Sequence, residues 1–228
     1  MARTRIISTA QNMLRDIASA LGSAWKYDET NNAIYRANAT DPKACIICIS
    51  HPTMGTHLTP GWINGDTKYS INSSCNPTFI KGNDGTAYID IYTAPGGSLA
   101  IGVSPNVPTG VILPHAYICA TTYAKSDIPH DYPVMDTNNS YGHYRSIPGI
   151  NSDKSMVGNM FFSNGIWADD ASVMIQVPDS YSGSYYKDLF AIVSMPTSIY
   201  GNIVGSGSQK YVKTIGATYG ARIYFRFE

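Results

Sequence analysis

From Trp25 to its end, the chain consists of short β-prone runs separated by turn residues. Residues 44–50 are continuously apolar, as in a strand that is covered on both faces. Residues 86–93 alternate instead, so that Ile89 and Ile91 lie on one face and tyrosines on the other. Helical crossovers between the runs are missing, which disfavours a parallel sheet. The sequence therefore predicts a mainly β protein, an antiparallel β-sandwich or barrel-like domain.

The other runs follow the same pattern and are joined by turns or loops. Residues 25–27 and 33–36 flank Asp-Glu-Thr-Asn-Asn, which predicts a hairpin. Residues 94–114 and 126–151 are rich in Pro, Gly or Asn, and we predict long loops there, which usually carry function or contact a partner. The remaining predicted strands are 116–124, 172–177, 189–195 and 221–227.

The helical signal lies in the first 24 residues, where apolar residues recur at three- and four-residue steps. Ser8 or Thr9 would cap the start of this helix and Gly22 its end. We predict a helical segment over residues 1–24 and a β-rich domain over 25–228, with a further subdivision near 126–151 left open. The apolar face must pack on the chain's own sheets or on a neighbouring subunit. Its members are Ile7, Ala10, Leu14, Ile17, Ala18 and Leu21.

Charge is scarce in this chain. Only 14% of the residues are charged, against about 25% in ordinary soluble domains, and 16 basic residues balance 16 acidic ones. No basic run is long enough for a nucleic acid to be the main ligand. No stretch approaches the ~20 apolar residues of a membrane span, and residues 1–21 lack the apolar core of a signal peptide. Because near-zero net charge removes self-repulsion, the composition favours association.

Two cysteines and two histidines come close together in sequence, at Cys45, Cys48, His51 and His57. Thiols and imidazoles are zinc ligands. However, Ile46 and Ile47 favour an extended strand, which would point the two cysteines to opposite faces. We therefore predict buried thiols and no metal site.

Catalytic motifs are weak. His130 and Asp131 lie in a polar segment that has the groups needed for acid–base chemistry. No serine occupies a Gly-x-Ser-x-Gly turn, glutamate is too scarce for a typical glycosidase pair, and residues 201–208 lack the Lys-Ser/Thr of a phosphate loop. We interpret residues 201–208 as a flexible turn. The sequence predicts a protein that is not an enzyme and has no catalytic residues and no cofactor.

Tyrosines are abundant in the second half of the chain, beside Ser, Gly and Asn, in segments that we predict to be loops. A rigid ring with a hydroxyl among small polar residues is typical of binding surfaces. These rings would pack against another protein or stack on sugars. The candidate interface residues are Ile7, Leu14, Ile17 and Leu21 from the helix face, and Tyr132, Tyr141, Tyr144, Tyr181, Tyr185 and Tyr186.

The N-terminal helix, the near-neutral β-rich body full of Asn, Ser, Gly and Tyr, and the final run 219–228 together resemble the virion structural proteins of tailed bacteriophages. The resemblance implies a non-enzymatic subunit of the neck, tail or baseplate, assembled in the host cytoplasm and carried on the virion. Its partners would be other virion proteins and copies of itself. The final strand would reach neighbours by edge pairing and the helix by docking in a groove.

An alternative function is a receptor- or carbohydrate-binding module on a phage tail or baseplate. The loop tyrosines, with Trp62 or Trp167, would then bind a host-surface glycan. A third reading is a cell-wall hydrolase that depends on His130 and Asp131.

Overall fold

In the part of the chain that the structure describes, the strands form three antiparallel sheets and there is one short α-helix, so the mainly β fold expected from the runs is confirmed. The computed structural model describes residues 3–53, 55–70, 79, 81–82, 84–108, 114, 117–121, 134–136, 143–147, 150–155, 174–178, 185–192, 203–206, 209–216 and 222–227. Within these residues, no helix is long and apolar enough to cross a membrane.

Sheet I has seven strands and includes both the first strand and the middle of the chain. Its spatial order is β1 (Arg3–Ser8), β7 (Ala87–Thr93), β8 (Leu99–Pro105), β9 (Tyr117–Ala120), β10 (Val134–Asp136), β11 (His143–Ile147) and β12 (Ile150–Ser155).

Sheets II and III have five strands each. Sheet II runs in the order β2 (Trp25–Asp28), β3 (Ala33–Arg36), β4 (Lys43–His51), β5 (Gly55–Asn64) and β6 (Thr67–Ser70). Sheet III runs in the order β13 (Met174–Pro178), β14 (Tyr185–Ile192), β17 (Arg222–Arg226), β16 (Gln209–Gly216) and β15 (Ile203–Ser206). The predicted β2–β3 hairpin is confirmed.

The main core lies between sheets I and II and is built as the strand alternation predicts. Ile89 and Ile91 of β7 share one buried cluster with Ile46 and Leu58 of sheet II. Helix α1 (Met13–Leu21) adds its apolar face to the same cluster. Thus the helix packs on the chain's own sheets.

The N-terminal segment differs from expectation, because the helix begins at Met13 and residues 3–8 form strand β1. In β1, Ile6 packs against the core while Ile7 is exposed, which is strand alternation rather than a helix face. Ser8 does not cap the helix; its hydroxyl donates a hydrogen bond to Asp16, 2.5 Å away, and Asn12 is the N-cap. Gly22 does end the helix, as predicted, with φ of 66°.

Strand β4 is buried on both faces, as its apolar run predicts. Ile46 and Cys48 face the main core, whereas Cys45 and Ile47 belong to a second cluster on the other side of sheet II. At Gly61 of β5, a Cβ atom would lie 2.5 Å from a backbone oxygen of β6, so the close packing of this sheet requires glycine.

Three predicted loops or turns contain strands. Residues 94–114 include β8, residues 126–151 include β10 and β11, and residues 201–208 include β15. The prolines of the first segment bound the strand rather than exclude it, since Pro95 lies in the turn before β8 and Pro105 is its last residue. The apolar residues between these turn-forming residues are sufficient to form strands.

Candidate interaction surface

The large apolar side chains most exposed in the described part of the chain all lie on edge strands. Ile7 is 55% exposed, Tyr69 42% and Ile203 39%, and each lies on an outermost described strand of a different sheet: β1, β6 or β15. An edge strand has backbone N–H and C=O groups on one side that its own sheet does not pair. Apolar side chains at such edges make these strands the candidate interaction surface.

The β1 edge carries two arginines that interact with a carboxylate of the same chain. Arg5 donates two hydrogen bonds to the wholly buried carboxylate of Asp90, at 2.8 and 2.6 Å, and Arg3 lies 3.7 Å from it. The hydrogen bond to Asp90 raises the pKa of Arg5 above its ordinary value, against the opposing effect of burial. The Arg5 guanidinium also lies 5.0 Å from the centre of the Tyr88 ring. The outer face of this edge is therefore basic beside Ile7.

The β6 edge presents one ring face of Tyr69. This ring stacks on the buried Trp62, with centroids 3.8 Å apart and planes 16° apart, because the two residues are directly paired across β5 and β6. Lys68 donates a hydrogen bond to the carbonyl oxygen of Asn31, at 3.1 Å. Trp62 thus packs within the sheet, and the exposed aromatic surface of this pair belongs to Tyr69.

The β15 edge ends an apolar row that crosses sheet III. Ile203 pairs with Val212, Val212 with Phe225, and Phe225 with Leu189. The last three side chains are at most 1% exposed, so the row is buried until it reaches Ile203. Directly opposed side chains lie on the same face of a sheet, and Ile203 is therefore the exposed end of a buried apolar stripe.

A buried polar network joins sheets I and III. Asp188 of β14 accepts a hydrogen bond from the Ser98 hydroxyl at 2.5 Å and one from Arg226 at 2.9 Å. The same turn before β8 meets sheet II, where Arg36 donates to the carbonyl oxygen of Gly97 at 3.2 Å. Because both carboxylate oxygens are engaged, the network is a structural link between sheets.

The helix residues predicted as interface are corrected by the structure. Leu14 and Ile17 are buried in the main core, because the apolar face of α1 closes that core. Leu21 is half-buried against the same core. Ile7 is exposed, but on strand β1 rather than on the helix.

Three of the six predicted loop tyrosines lie in described strands. Tyr144 lies in β11, and Tyr185 and Tyr186 begin β14, since aromatic residues favour strands; their side chains are not among those described. The remaining predicted residues lie outside the described residues: Tyr132, Tyr141, Tyr181, His130, Asp131 and Trp167.

Cys45, Cys48 and His57 do not converge on one point, and the side chain of His51 lies outside those described. Cys45 and Cys48 face opposite sides of β4, as predicted, and His57 is buried on β5, with Nδ1 3.3 Å from the carbonyl oxygen of Gly55. Among the side chains that the structure describes, no three His, Cys, Asp or Glu are grouped as a metal site requires.

Burial makes the two thiols poor nucleophiles, and we expect native Cys45 and Cys48 to resist alkylation at pH 8. Burial raises the pKa of Cys48 to about 11, with the hydrogen bond to Asn32 opposing it, and raises the pKa of Cys45 as well. A Cys75→Ser variant removes the cysteine outside the described residues. Mass spectrometry should then show labelling at least about 100-fold slower in the native than in the denatured protein. Rapid native labelling of Cys48 would contradict its burial.

The same shift predicts how stability depends on pH. Since the folded pKa of Cys48 exceeds its ordinary value of 9.0, the folded state holds this proton longer than the unfolded state. The contribution of Cys48 to stability should therefore be complete below about pH 9 and be lost as the pH rises towards about 11.

Comparison with protein-family models, curated proteins and solved structures finds no match for this chain. The interaction surface is therefore defined by exposure and strand position.

Sequence reasoning missed Tyr69 and Ile203. The Asn64-Gly65 turn signal points to the β5–β6 hairpin and would have found Tyr69. The Gly- and Ser-rich composition of residues 201–208 predicts a turn, and therefore gives no signal for Ile203 on strand β15.

Proposed function

We propose that this protein is a non-enzymatic structural subunit of a virus particle, and that it assembles through the edge strands of its sheets. The observation that carries the proposal is the placement of Ile7, Tyr69 and Ile203 on three edge strands. Strand pairing at an edge gains backbone hydrogen bonds, while an adjacent apolar side chain gains buried area.

Composition supports assembly over an independent existence in solution. A zero net charge and a charged fraction of 14% leave little long-range repulsion between copies. The partners would be copies of the chain and other virion proteins, with the tyrosine-rich second half adding contact area.

The virus-particle setting comes from the resemblance to tailed-bacteriophage virion proteins. The resemblance implies a position in a neck, tail or baseplate, and the virion would be the subunit's location after assembly in the host cytoplasm. A near-neutral, antiparallel β protein with pairable edges fits such a building block.

Carbohydrate binding is the second candidate, and the Tyr69–Trp62 stack favours it. Trp62 holds one face of the Tyr69 ring, and the exposed remainder of the ring is the kind of surface on which a sugar stacks. A saturable response on a panel of host-surface glycans, lost in Tyr69→Ala and kept in Tyr69→Phe, would support this function. A flat response across the panel would dismiss it.

Charged substitutions at the three edges should weaken assembly. In the triple variant Ile7→Lys, Tyr69→Lys, Ile203→Lys, we expect association to weaken by at least about tenfold, equivalent to about 1.4 kcal/mol. Buried like charges and lost apolar contact are the cause. Native mass spectrometry and sedimentation velocity over a concentration series measure the change.

A Lys26→Glu variant is the control. Lys26 is exposed and also lies on an outermost strand, β2, but this substitution replaces one charge by another. It should assemble like the wild type. If the triple variant forms the same oligomers as the wild type, edge assembly is wrong. A strictly monomeric wild type that binds glycans saturably would favour the second candidate.

A further inference from the structure

The three edges differ in charge, and one of them is suited to pairing with itself. We propose that β15 pairs antiparallel with β15 of a second copy about a twofold axis, joining two five-stranded sheets into one of ten strands. This inference rests on the proposed assembly function, because it names a second copy of the chain as the partner of one edge strand.

The apolar row of sheet III supplies the first argument. From Leu189 through Phe225 and Val212, buried side chains lead directly to Ile203, the exposed member on β15. Rotation about a twofold axis perpendicular to the sheet keeps each residue on its own face. A second copy therefore brings its own Ile203 and its own row to the same face, so the exposed ends of two apolar rows would lie on one face of the junction.

Charge supplies the second argument. A twofold pairing places a short strand opposite itself, so a charge on the strand would lie opposite its own copy or near it. Strand β1 carries Arg3 and Arg5, and β6 carries Lys68. Strand β15 reads Ile-Val-Gly-Ser, with neither a charge nor a proline, and no charged residue occurs between Met195 and Ser208.

Edge protection leads to the same conclusion. Strands that must stay unpaired usually carry lysine, other charges or proline at the edge, and the opposite edge of sheet III, β13, ends in Pro178. Among the described residues, the protection found for strand β15 is its short length of four residues. A pairing of four-residue strands is a limited contact, so we expect association in the micromolar range or weaker.

Hydrogen–deuterium exchange across a protein concentration series tests this pairing on the full chain. Peptides that cover residues 203–206 should exchange more slowly as concentration rises, whereas peptides that cover 3–8 and 67–70 should not follow the same curve. The variant Ile203→Lys should remove this concentration dependence and weaken dimerisation at least about tenfold in sedimentation velocity. Lys26→Glu, a change on the exposed β2 edge, is the control and should leave both unchanged, and Ile7→Lys repeats the Ile203→Lys change on the β1 edge for comparison.

The outcomes separate this inference from the assembly function. Loss of dimers in Ile203→Lys but not in Ile7→Lys supports β15 pairing. Dimers that survive Ile203→Lys and are lost in Ile7→Lys or Tyr69→Lys overturn β15 pairing and leave edge assembly standing. A wild type that stays monomeric, with exchange at 203–206 independent of concentration, also overturns it. Circular dichroism confirms that each variant is folded, which is expected because Ile203 is exposed.

Discussion

Replacing Ile17 by aspartate should destabilise the fold by at least about 4 kcal/mol and lower Tm by about 8–16 °C. Ile17 is wholly buried in the main core between sheets I and II, where a carboxylate would have no water. A loss of this size is a substantial part of the stability of a typical domain, about 5–15 kcal/mol. Thermal and urea denaturation followed by circular dichroism measure the loss.

Ile7→Asp is the matched control, since Ile7 is the same residue type in the same N-terminal segment but is 55% exposed. It should change stability by no more than about 0.5 kcal/mol. The comparison also tests the sequence-based idea that the helix docks on a neighbour. If Ile17→Asp keeps a native Tm but loses its oligomers, the helix face is an interface between chains and its place in the core is wrong.

Removing the Asp188 carboxylate should cost about 2–4 kcal/mol. Asp188→Ala removes the carboxylate that accepts from the buried Ser98 hydroxyl, which also lies 3.4 Å from the Thr121 hydroxyl, and that pairs with Arg226. We place the cost below that of a fully buried pair because the Arg226 side chain is 32% exposed and can turn to water. Urea denaturation monitored by tyrosine and tryptophan fluorescence reports the change.

A double-mutant cycle shows whether this network joins the sheets. Ser98→Ala alone should cost about 1–2 kcal/mol, and the two substitutions together should cost less than their sum by about 0.5–3 kcal/mol. Strict additivity would mean that the Ser98–Asp188 hydrogen bond contributes nothing to stability. In that case apolar contacts, such as the Tyr92–Phe227 pair with ring centroids 4.9 Å apart, would hold sheet III on sheet I.

The sequence was informative wherever a local pattern decided the structure. Continuous apolar character predicted that β4 is covered on both faces, and strand geometry placed Cys45 and Cys48 on opposite sides. Gly22 was predicted to end the helix because a left-handed residue commonly follows a last helical turn. These features depend on a few adjacent residues.

Features that depend on distant pairing were not predictable. Ile7 satisfies both a helical and a strand pattern, and only the partner strand β7 decides between them. The final run of the chain was expected to pair with a neighbour, but β17 lies between β14 and β16, in the interior of sheet III. Likewise, no local signal connects Asp90 with Arg5, which lie 85 residues apart.

That separation has a kinetic consequence for the protein as it is synthesised. Strand β1 is made before β7, its partner in sheet I, and 85 residues separate Arg5 from Asp90, a pair that joins the two strands. At roughly 5–20 residues per second, ribosomes need on the order of 4–17 s to supply it. During this interval β1 has no strand of its own sheet to pair with, so the nascent chain passes through a stage in which Ile6 and Ile7 are both open to chaperones.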